Sequence, residues 1–449
     1  MIYNKFVRNI YFPVTEFVKG ESVRKYLSSL EASQSYSRDE LCEIQWKKLK
    51  SLLDHAYLNI PYYRNLFNKS GIHPNDIQSP EDFSKIPLLT KEAIVEHYSE
   101  LVDTKYRGNI YPGKTSGSTG IPLKFYCTPE YSSWDWASRW RARSWYGVQI
   151  GDPEVAIWGR PLYSAINRFR DLIKARIRNT LLISAFEFSE ENLERYSKQI
   201  LRFNPSYIYG YSSSIYQLST YIKEKYTSQL LSNLRAIFVT AETLFPYQRK
   251  IVEKTFNSPV SNEYGCSEVG GFAYECPHGS WHISAENVYV EFVSIDGGPK
   301  EIVATSLTNF YMPFIRYRIG DLGEAVDKVC ACGRTLPLME LHTGKSTEVV
   351  YLKNGETFSS EIFDYLNLAL LDKKQQPFKQ FQIIQKSESN FEIKYIKGLG
   401  FTGNSLSLFK KLFLDVVKDN SINLKYSEVK KIPKDQSGKI RYFISEIKK

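Results

Sequence analysis

The chain has 449 residues, enough for two or three domains. With 42% hydrophobic and 24% charged residues it has the balance of an ordinary globular protein, which excludes the disordered and fibrous classes. No apolar run of about 18 residues occurs, so no transmembrane helix is predicted. The formal net charge is +10, but the basic residues are spread along the chain without an arginine-rich block or a nucleic-acid module. Attraction to anionic ligands, an acidic carrier protein or a membrane surface fits that charge, and a nucleic-acid partner is not expected.

In chain order, the N-terminus carries aromatic and basic groups: Tyr3, Phe6, Tyr11 and Phe12 with Lys5 and Arg8. They suit peripheral contact with a membrane or packing on the body, and packing is the expectation. The segment lacks the apolar core and cleavage site of a signal peptide, so the expected location is cytoplasmic. Residues 20–110 read as mainly helical, with apolar groups at helical spacing in Leu41–Leu53 and a break at Pro61. Residues 111–345 alternate short apolar strands with helices. Arg235–Thr240 is a buried-strand run, a helix follows at about 246–256, and a further strand covers Val260–Tyr264. That alternation argues for an α/β fold with a doubly wound sheet. Ser284–Val293 alternates like an antiparallel strand. From about 346 the pattern becomes α+β, with strands at 381–386 and 391–396 and a helix near 405–418. The expected division is therefore 1–345 and 346–449.

Four segments carry candidate chemistry. Thr115-Ser116-Gly117-Ser118-Thr119-Gly120 places two glycines among four hydroxyl residues, ahead of a strand reading at 121–126. Such a loop can wrap phosphates with backbone N–H and side-chain O–H donors, or be a solvated turn. It is neither a Walker A loop nor a dinucleotide fingerprint. Tyr264-Gly265-Cys266-Ser267-Glu268 follows a strand, where ligands bind in open α/β sheets. The tyrosine can stack on a base, the glycine admits close approach, and the carboxylate can hold Mg²⁺. A turn with a surface glutamate is the alternative. Asp321 ends the strand Ile315–Gly320 and can accept two ribose hydroxyls, or be a turn aspartate. Lys439, beside Gly438 near the C-terminus, can reach a phosphate or a carboxylate, or be solvated.

Taken together, in this order, these segments resemble the adenylate-forming superfamily, and within it the phenylacetate–CoA ligase-like proteins that include the capsule-biosynthesis ligases called CapK. The resemblance runs from about residue 35 to the end. It includes His55–Arg64, Pro205–Ser212 and Thr240-Ala241-Glu242-Thr243, the last resembling the family's adenine-pocket segment. It implies a large N-terminal adenylate-forming domain and a small, mobile C-terminal domain. It implies Thr115–Gly120 as the phosphate loop, Tyr264 as the nucleotide-contacting aromatic, and Glu268 as the Mg²⁺-linked carboxylate. It further implies Asp321 on the ribose, Ala241 and Glu242 near the adenine, Gly265 and Ser267 beside the nucleotide, and Lys439 as the catalytic lysine of adenylation. The family's hinge Gly-Arg reads Gly344-Lys345 here, and the Asp-Asp that follows reads Thr347-Glu348. Lys345 keeps a charge but loses the bidentate fork.

The implied cofactors are ATP or AMP with Mg²⁺, and CoA as an acceptor. The implied partners are a carboxylic acid and an acceptor thiol on CoA or a carrier protein, or an amine. Six cysteines in a long cytosolic chain do not form a disulfide framework; Cys42, Cys127 and Cys266 are expected as buried small groups. Cys276, Cys330 and Cys332 with a histidine of Cys276-Pro277-His278-Gly279-Ser280-Trp281-His282 can complete a tetrahedral Zn²⁺ site, and a tight turn at 330–332 is the alternative. The family resemblance favours His282 over His278 and implies structural zinc.

Trp134, Trp140, Trp158, Tyr209 and Tyr211 are candidates for the acid pocket, although rings in such stretches are more often core. Arg139, Arg141, Arg143 and Arg160 lie in the same stretch and can read an anionic or polar substrate or an acceptor's phosphate; the first three fit one solvated basic face of a helix at 131–145 equally well. Two other classes remain at this stage: a nucleotide-binding relative without catalysis, serving a binding or regulatory role, and a nucleic-acid binder suggested only by charge.

Overall fold

The computed structural model describes the whole chain except residues 1, 115–122, 159–171, 186–189, 227–230, 295–299, 346–348, 354–356, 360–362, 364–376, 399, 418, 420, 434–440 and 448–449. The N-terminal third is helical. Ser37 starts the helix Arg38–Asn59 through a reciprocal cap, accepting the Glu40 N–H while the Glu40 carboxylate accepts its own. Ile60, held extended by the proline after it, separates that helix from Pro61–Ser70.

A two-stranded ribbon, β1 (Tyr111–Lys114) and β2 (Lys124–Cys127), stems the hydroxyl-rich loop, with Lys114 opposite Lys124. The strand anticipated over 121–126 thus lies at 124–127. The chain then builds β3 (Glu154–Trp158), β4 (Thr180–Ser184), β5 (Tyr207–Tyr211), β6 (Ala236–Thr240), β7 (Val260–Cys266), β8 (Gly270–Glu275), β9 (Trp281–Ile283), β10 (Val288–Ser294), β11 (Lys300–Ser306), β12 (Tyr317–Val326) and β13 (Leu338–Lys345). These form one sheet in the order β10-β11-β12-β13-β9-β8-β7-β6-β5-β3-β4.

The run β4-β3-β5-β6-β7 is parallel. Alternate residues of its strands point to opposite faces. Ile208, Ile237 and Val239 pack under the helices Glu190–Phe203, Ser212–Lys225 and Pro246–Phe256. Tyr207, Ala236 and Phe238 pack on the other side with Ala137 and Trp140 of helix Pro129–Ser144 and Leu30 of helix Val23–Ser33. Both faces are covered, as in a doubly wound sheet. The remaining strands are antiparallel and rest on the Arg38–Asn59 and Pro61–Ser70 helices through Leu49, Leu52, Tyr63 and Phe67.

Beyond residue 348 the chain makes β14 (Val349–Tyr351) and β15 (Thr357–Ser359). It then makes β16 (Phe378–Ser387), β17 (Asn390–Lys397), β18 (Asn423–Glu428) and β19 (Phe443–Ser445), paired as β18-β17-β16-β19. Helix Ser405–Val417 covers this sheet, and Phe381, Ile383, Phe391, Phe409, Phe413 and Phe443 form a core separate from those of the large sheet. The α/β class with a smaller α+β C-terminal unit is as the sequence indicates.

Three expectations need correction. Arg141 and Arg143 are fully buried rather than solvated, because each has an internal carboxylate partner. Cys42 is exposed, on the outer side of its helix. The N-terminal rings divide: Phe12 packs on the body, whereas Tyr3 and Phe6 are exposed.

Candidate active site

The ends of the parallel strands converge on one edge of the sheet. From β3 the connection to β4 runs one way and β5 to β6 runs the other, so the crevice beside β3 and β5 is a topological switch point. Trp158 ends β3 and stacks on Tyr209, 5.5 Å away at 14°, and on Tyr211, 4.7 Å away at 28°. Three of the five rings proposed for the acid pocket therefore meet there. The other two do not. Trp134 stacks on Tyr26, and Trp140 meets Tyr207 edge-on in the core.

Beneath this stack Arg139 donates to the Tyr209 hydroxyl at 2.9 Å and pairs with Asp135 at 3.2 Å. Arg143 lies 3.4 Å from Glu263 with the rings of Tyr209, Trp140, Tyr207 and Phe238 around it. These arginines are thus committed to internal partners. Burial pushes the Tyr209 phenol up to about 12, against the pull of Arg139.

At the end of β6 Ala241 adopts φ 69°, a left-handed conformation that costs a residue with a Cβ about 1 kcal/mol or more. The turn sends Glu242 back over the helix Ser212–Lys225, where its carboxylate accepts the Ser213 N–H at 2.9 Å. An acidic cap at a helix N-terminus is electrostatically favoured, so Glu242 shapes the pocket segment as a cap.

At the end of β7 the pairing with β8 shifts register between Tyr264 and Gly265. Such a bulge re-aims side chains beside a site. Tyr264 donates its hydroxyl to Asp321 Oδ2 at 2.9 Å, across 57 positions of sequence. Burial, then the Asp321 carboxylate, push the Tyr264 phenol well up, so it remains a donor. In the β12–β13 ladder the backbone of Asp321 is in register with that of Lys345. Glu268, in the turn between β7 and β8, is buried and accepts the Tyr317 hydroxyl on Oε1 at 2.8 Å. Burial and then Glu268 push the Tyr317 phenol up. Ser267 offers its carbonyl to Tyr131 at 3.1 Å. A Cβ on Gly265 would collide with the backbone of Gly270 and Gly271, so strand packing by itself requires a glycine here. Burial, then Glu268, raise the Cys266 thiol well above its ordinary range, which removes it as a nucleophile.

Thr115–Gly120, Arg160, Thr347, Glu348 and Lys439 lie outside the described residues. The chain just after Lys439 is described. Gln382 donates to the Arg441 carbonyl at 2.6 Å, and Tyr442 reaches from the small unit to the large one. There its hydroxyl accepts from Gln248 Nε2 at 3.0 Å and its ring stands edge-on to Phe245, 4.7 Å away. Phe245 follows the Ala241–Thr243 segment by two residues. Tyr317, Tyr442 and Gln248 were not singled out by sequence. Tyr317 stood inside the quoted Ile315–Asp321 run, whereas nothing local marks the other two.

At the far end of β8 and β9, Cys276, His282, Cys330 and Cys332 bring their ligand atoms within 4.8 Å of one another. Cys276 Sγ lies 3.6 Å from Cys330 Sγ, and Cys332 Sγ 3.3 Å from His282 Nε2. A tetrahedral Zn²⁺ with bonds of about 2.0–2.3 Å sets its ligand atoms about 3.5–3.8 Å apart, which these spacings approach. Two turns present the thiols: Gly279, at φ 76°, donates to the Cys276 carbonyl, and Gly333, at φ 78°, donates to that of Cys330. Burial, then Arg334, push the His282 imidazole down to about 4, so it is held neutral as a ligand must be. His278 is exposed and stands outside the cluster.

Residues 364–446 match the model of the CapK C-terminal domain. The chain is 24% identical over 437 residues to protein CapK of Staphylococcus aureus, covering 96% of this chain and 95% of the relative. It is 26% identical over 352 residues to the phenylacetate-coenzyme A ligase of Escherichia coli K12, covering 75% and 78%. Among solved structures, 2-hydroxyisobutyryl-CoA ligase in its postadenylation state is similar with a TM-score of 0.73 at 18% identity, covering 92% of this chain and 91% of that one. The same ligase in its thioesterification state, at the same coverage, gives 0.57.

Fold and relatives agree in class: the chain shares the fold of an adenylate-forming CoA ligase, with a large sheet domain and a small C-terminal one. Its sequence is CapK-like over nearly the whole chain and phenylacetate–CoA ligase-like over three quarters of it.

Proposed function

We propose that the chain is an ATP-dependent carboxylate ligase that works in two half-reactions. An oxygen of a carboxylate attacks the α-phosphorus of ATP, the bond to the β-phosphate oxygen breaks, and pyrophosphate leaves an acyl-adenylate. An acceptor thiol of CoA or a carrier protein, or an amine, then attacks the acyl carbon and releases AMP. The carrying observation is the Tyr264–Asp321 pair beside Glu268, with the lysine-bearing C-terminal chain docked at Phe245 and Gln248.

Each residue has a role in this reading. Tyr264 and Asp321 hold the nucleoside, the ring against the base and the carboxylate on the ribose hydroxyls. Ala241 and Glu242 shape the adenine wall. Thr115–Gly120 hold the β- and γ-phosphates. Lys439 neutralises charge developing on the oxygens at the α-phosphorus. Glu268, with Oε1 held by Tyr317, offers its other oxygen to Mg²⁺, which when bound spreads phosphate charge. Trp158, Tyr209 and Tyr211 wall the acid site, which suits an aromatic or apolar acid. Lys345, cross-strand to Asp321, sits at the join of domains 1–345 and 346–449, and rotation there exchanges Lys439 for the acceptor. Cys276, His282, Cys330 and Cys332 hold a structural Zn²⁺; four protein ligands leave no open position for catalysis.

The likeness to CapK supports a place in surface-polysaccharide assembly. Use of ATP and six unpaired thiols fit a cytoplasmic location.

The test is carboxylate-dependent pyrophosphate release from ATP over a panel of aromatic, fatty, hydroxy and amino acids, with hydroxylamine as trap. Lys439→Ala should lower adenylation by about 10²–10³-fold while AMP affinity stays within a few-fold. ATP binding without turnover of any acid by the unaltered chain would favour the non-catalytic relative. Failure to bind ATP would overturn the assignment.

A further inference from the structure

The first helix of the chain is built inside out. Residues 2–19 are continuously helical and end at Gly20, at φ 67°. The side turned to the body is largely polar. Asn4 donates to Asp152 at 3.2 Å, Arg8 donates to the Ile150 carbonyl at 2.8 Å, and Glu16, buried, accepts Arg24 Nε at 2.5 Å. Val7 and Phe12 are its apolar anchors. The side turned outward is apolar: Ile2 88%, Phe6 41%, Ile10 55%, Val14 55%, Phe17 87% and Val18 75% exposed. A surface helix of a globular protein has the reverse arrangement.

The backbone favours that row. Steps of four residues drift by about 40° each around a regular α-helix. Here Val7–Tyr11 form a wider turn, closed by the Phe12 N–H on the Val7 carbonyl. Such a turn under-winds the helix and reduces the drift between Ile2 and Val18.

A second element extends the patch. The Tyr3 hydroxyl donates to the carbonyls of Arg176 and Ile177 at 3.3 and 3.0 Å. It thereby joins the helix to residues 172–177, where Leu172 and Ile173 are each 44% exposed. Lys5, Lys174, Arg176 and Arg178 stand exposed around these apolar groups. Neither residues 2–15 nor 172–180 contain an Asp or Glu. With Glu16 buried against Arg24, an apolar row bordered by these exposed cations is complementary to acyl chains under anionic headgroups.

We propose that this face seats the protein on the surface of an anionic lipid bilayer. The row from Ile2 to Val18 enters the headgroup boundary, and Lys5, Lys174, Arg176 and Arg178 meet lipid phosphates. The protein lies on the membrane: among the described residues no helix is long and apolar enough to cross one.

The test is flotation of the full chain with vesicles of phosphatidylcholine alone or with one quarter phosphatidylglycerol. Anionic vesicles should bind about tenfold or more protein than neutral ones. Ile10→Glu/Phe17→Glu should lower that binding by about tenfold or more, with thermal melting and pyrophosphate release unchanged, because both side chains already face outward. Lys5→Glu/Lys174→Glu should lower binding to the anionic vesicles only, and this second variant decides if the first fails to fold. Absence of flotation with anionic vesicles, or flotation unchanged in both variants, overturns the proposal. So does a concentration-dependent dimer that Ile10→Glu/Phe17→Glu dissociates without any vesicle binding, which would assign the face to a second copy.

Discussion

Tyr442 of the small C-terminal unit and Gln248 of the large one share a hydrogen bond of 3.0 Å, and that contact holds the chain three residues past Lys439 against Phe245, beside the Ala241–Thr243 segment. Burial, then Glu242, push the Tyr442 phenol up, so its oxygen accepts from Gln248 while protonated. Tyr442→Phe leaves the buried Gln248 amide short of a partner, a loss of about 1 kcal/mol in the docked arrangement. Adenylation should fall about fivefold, whereas thioester formation from a supplied acyl-adenylate should not fall. Measuring the two half-reactions separately checks this; equal losses in both would assign Tyr442 to general stability.

Glu268 and Tyr317 form a buried pair of 2.8 Å, so the hydroxyl orients the carboxylate. Glu268→Gln should raise the Mg²⁺ concentration needed for half-maximal pyrophosphate release by about tenfold or more. Tyr317→Phe should raise it less and leave saturating turnover near normal. A Mg²⁺ dependence unaltered by Glu268→Gln would remove that carboxylate from metal binding.

Purified protein should contain one zinc per chain by elemental analysis, and Cys332→Ser should lose it. Because a structural metal is coupled to folding, chelation should lower the melting temperature by several degrees. His278→Ala should retain the metal, since that ring is exposed outside the four-residue cluster.

Arg141 and Glu286 are paired at 2.7 Å with side chains 1% and 4% exposed, and Ser284, Ser33 and the Leu30 carbonyl complete the network. Arg141→Met strands a buried carboxylate and should cost about 3–5 kcal/mol in urea unfolding. Arg141→Met/Glu286→Leu should recover part of that loss. Burial alone would raise the Glu286 carboxyl, but Arg141 and the hydrogen bonds from Arg141 and Ser33 outweigh it and hold it below its ordinary value. A carboxyl depressed on folding adds stability that is complete above its unfolded pKa, near 4.3, and is lost as pH falls through the folded value. The unaltered protein should therefore lose stability on acidification below about pH 5, and Arg141→Met should flatten that slope.

Sequence carried the architecture well where a local rule decides it. The Pro61 break, the 246–256 helix and the alternation of β10 each follow from periodicity or backbone chemistry. It also singled out Tyr264 and Glu268 at the end of an apolar strand, and Asp321, which the structure places within β12 and not at a strand end as the sequence suggested. Their pairing was not legible, since a 2.9 Å contact across 57 residues depends on strand order. The basic run Arg139–Arg143 misled for a related reason. A charge reads as solvated unless its partner is known, and Glu263 and Glu286 lie more than 100 residues downstream. Among the five candidate rings, the division between core and crevice turned on helix or strand placement, which residue type does not encode. The apolar residues Ile2, Phe6, Ile10, Val14 and Val18 recur every fourth position, but which side of that helix meets the body depends on distant partners, Asp152 and the Ile150 carbonyl.

The four clustered side chains at Cys276, His282, Cys330 and Cys332 stand past the end of β8 opposite to the turn that carries Glu268, and past the end of β12, whose middle carries Asp321. Sliding β8 by one position would turn every one of its side chains over and carry the Glu268 turn with it. A rivet at one end of a plank governs where the other end points. Oxidation of these thiols should therefore disturb the placement of the Glu268 turn some 20 Å away, about the length of a six-residue strand.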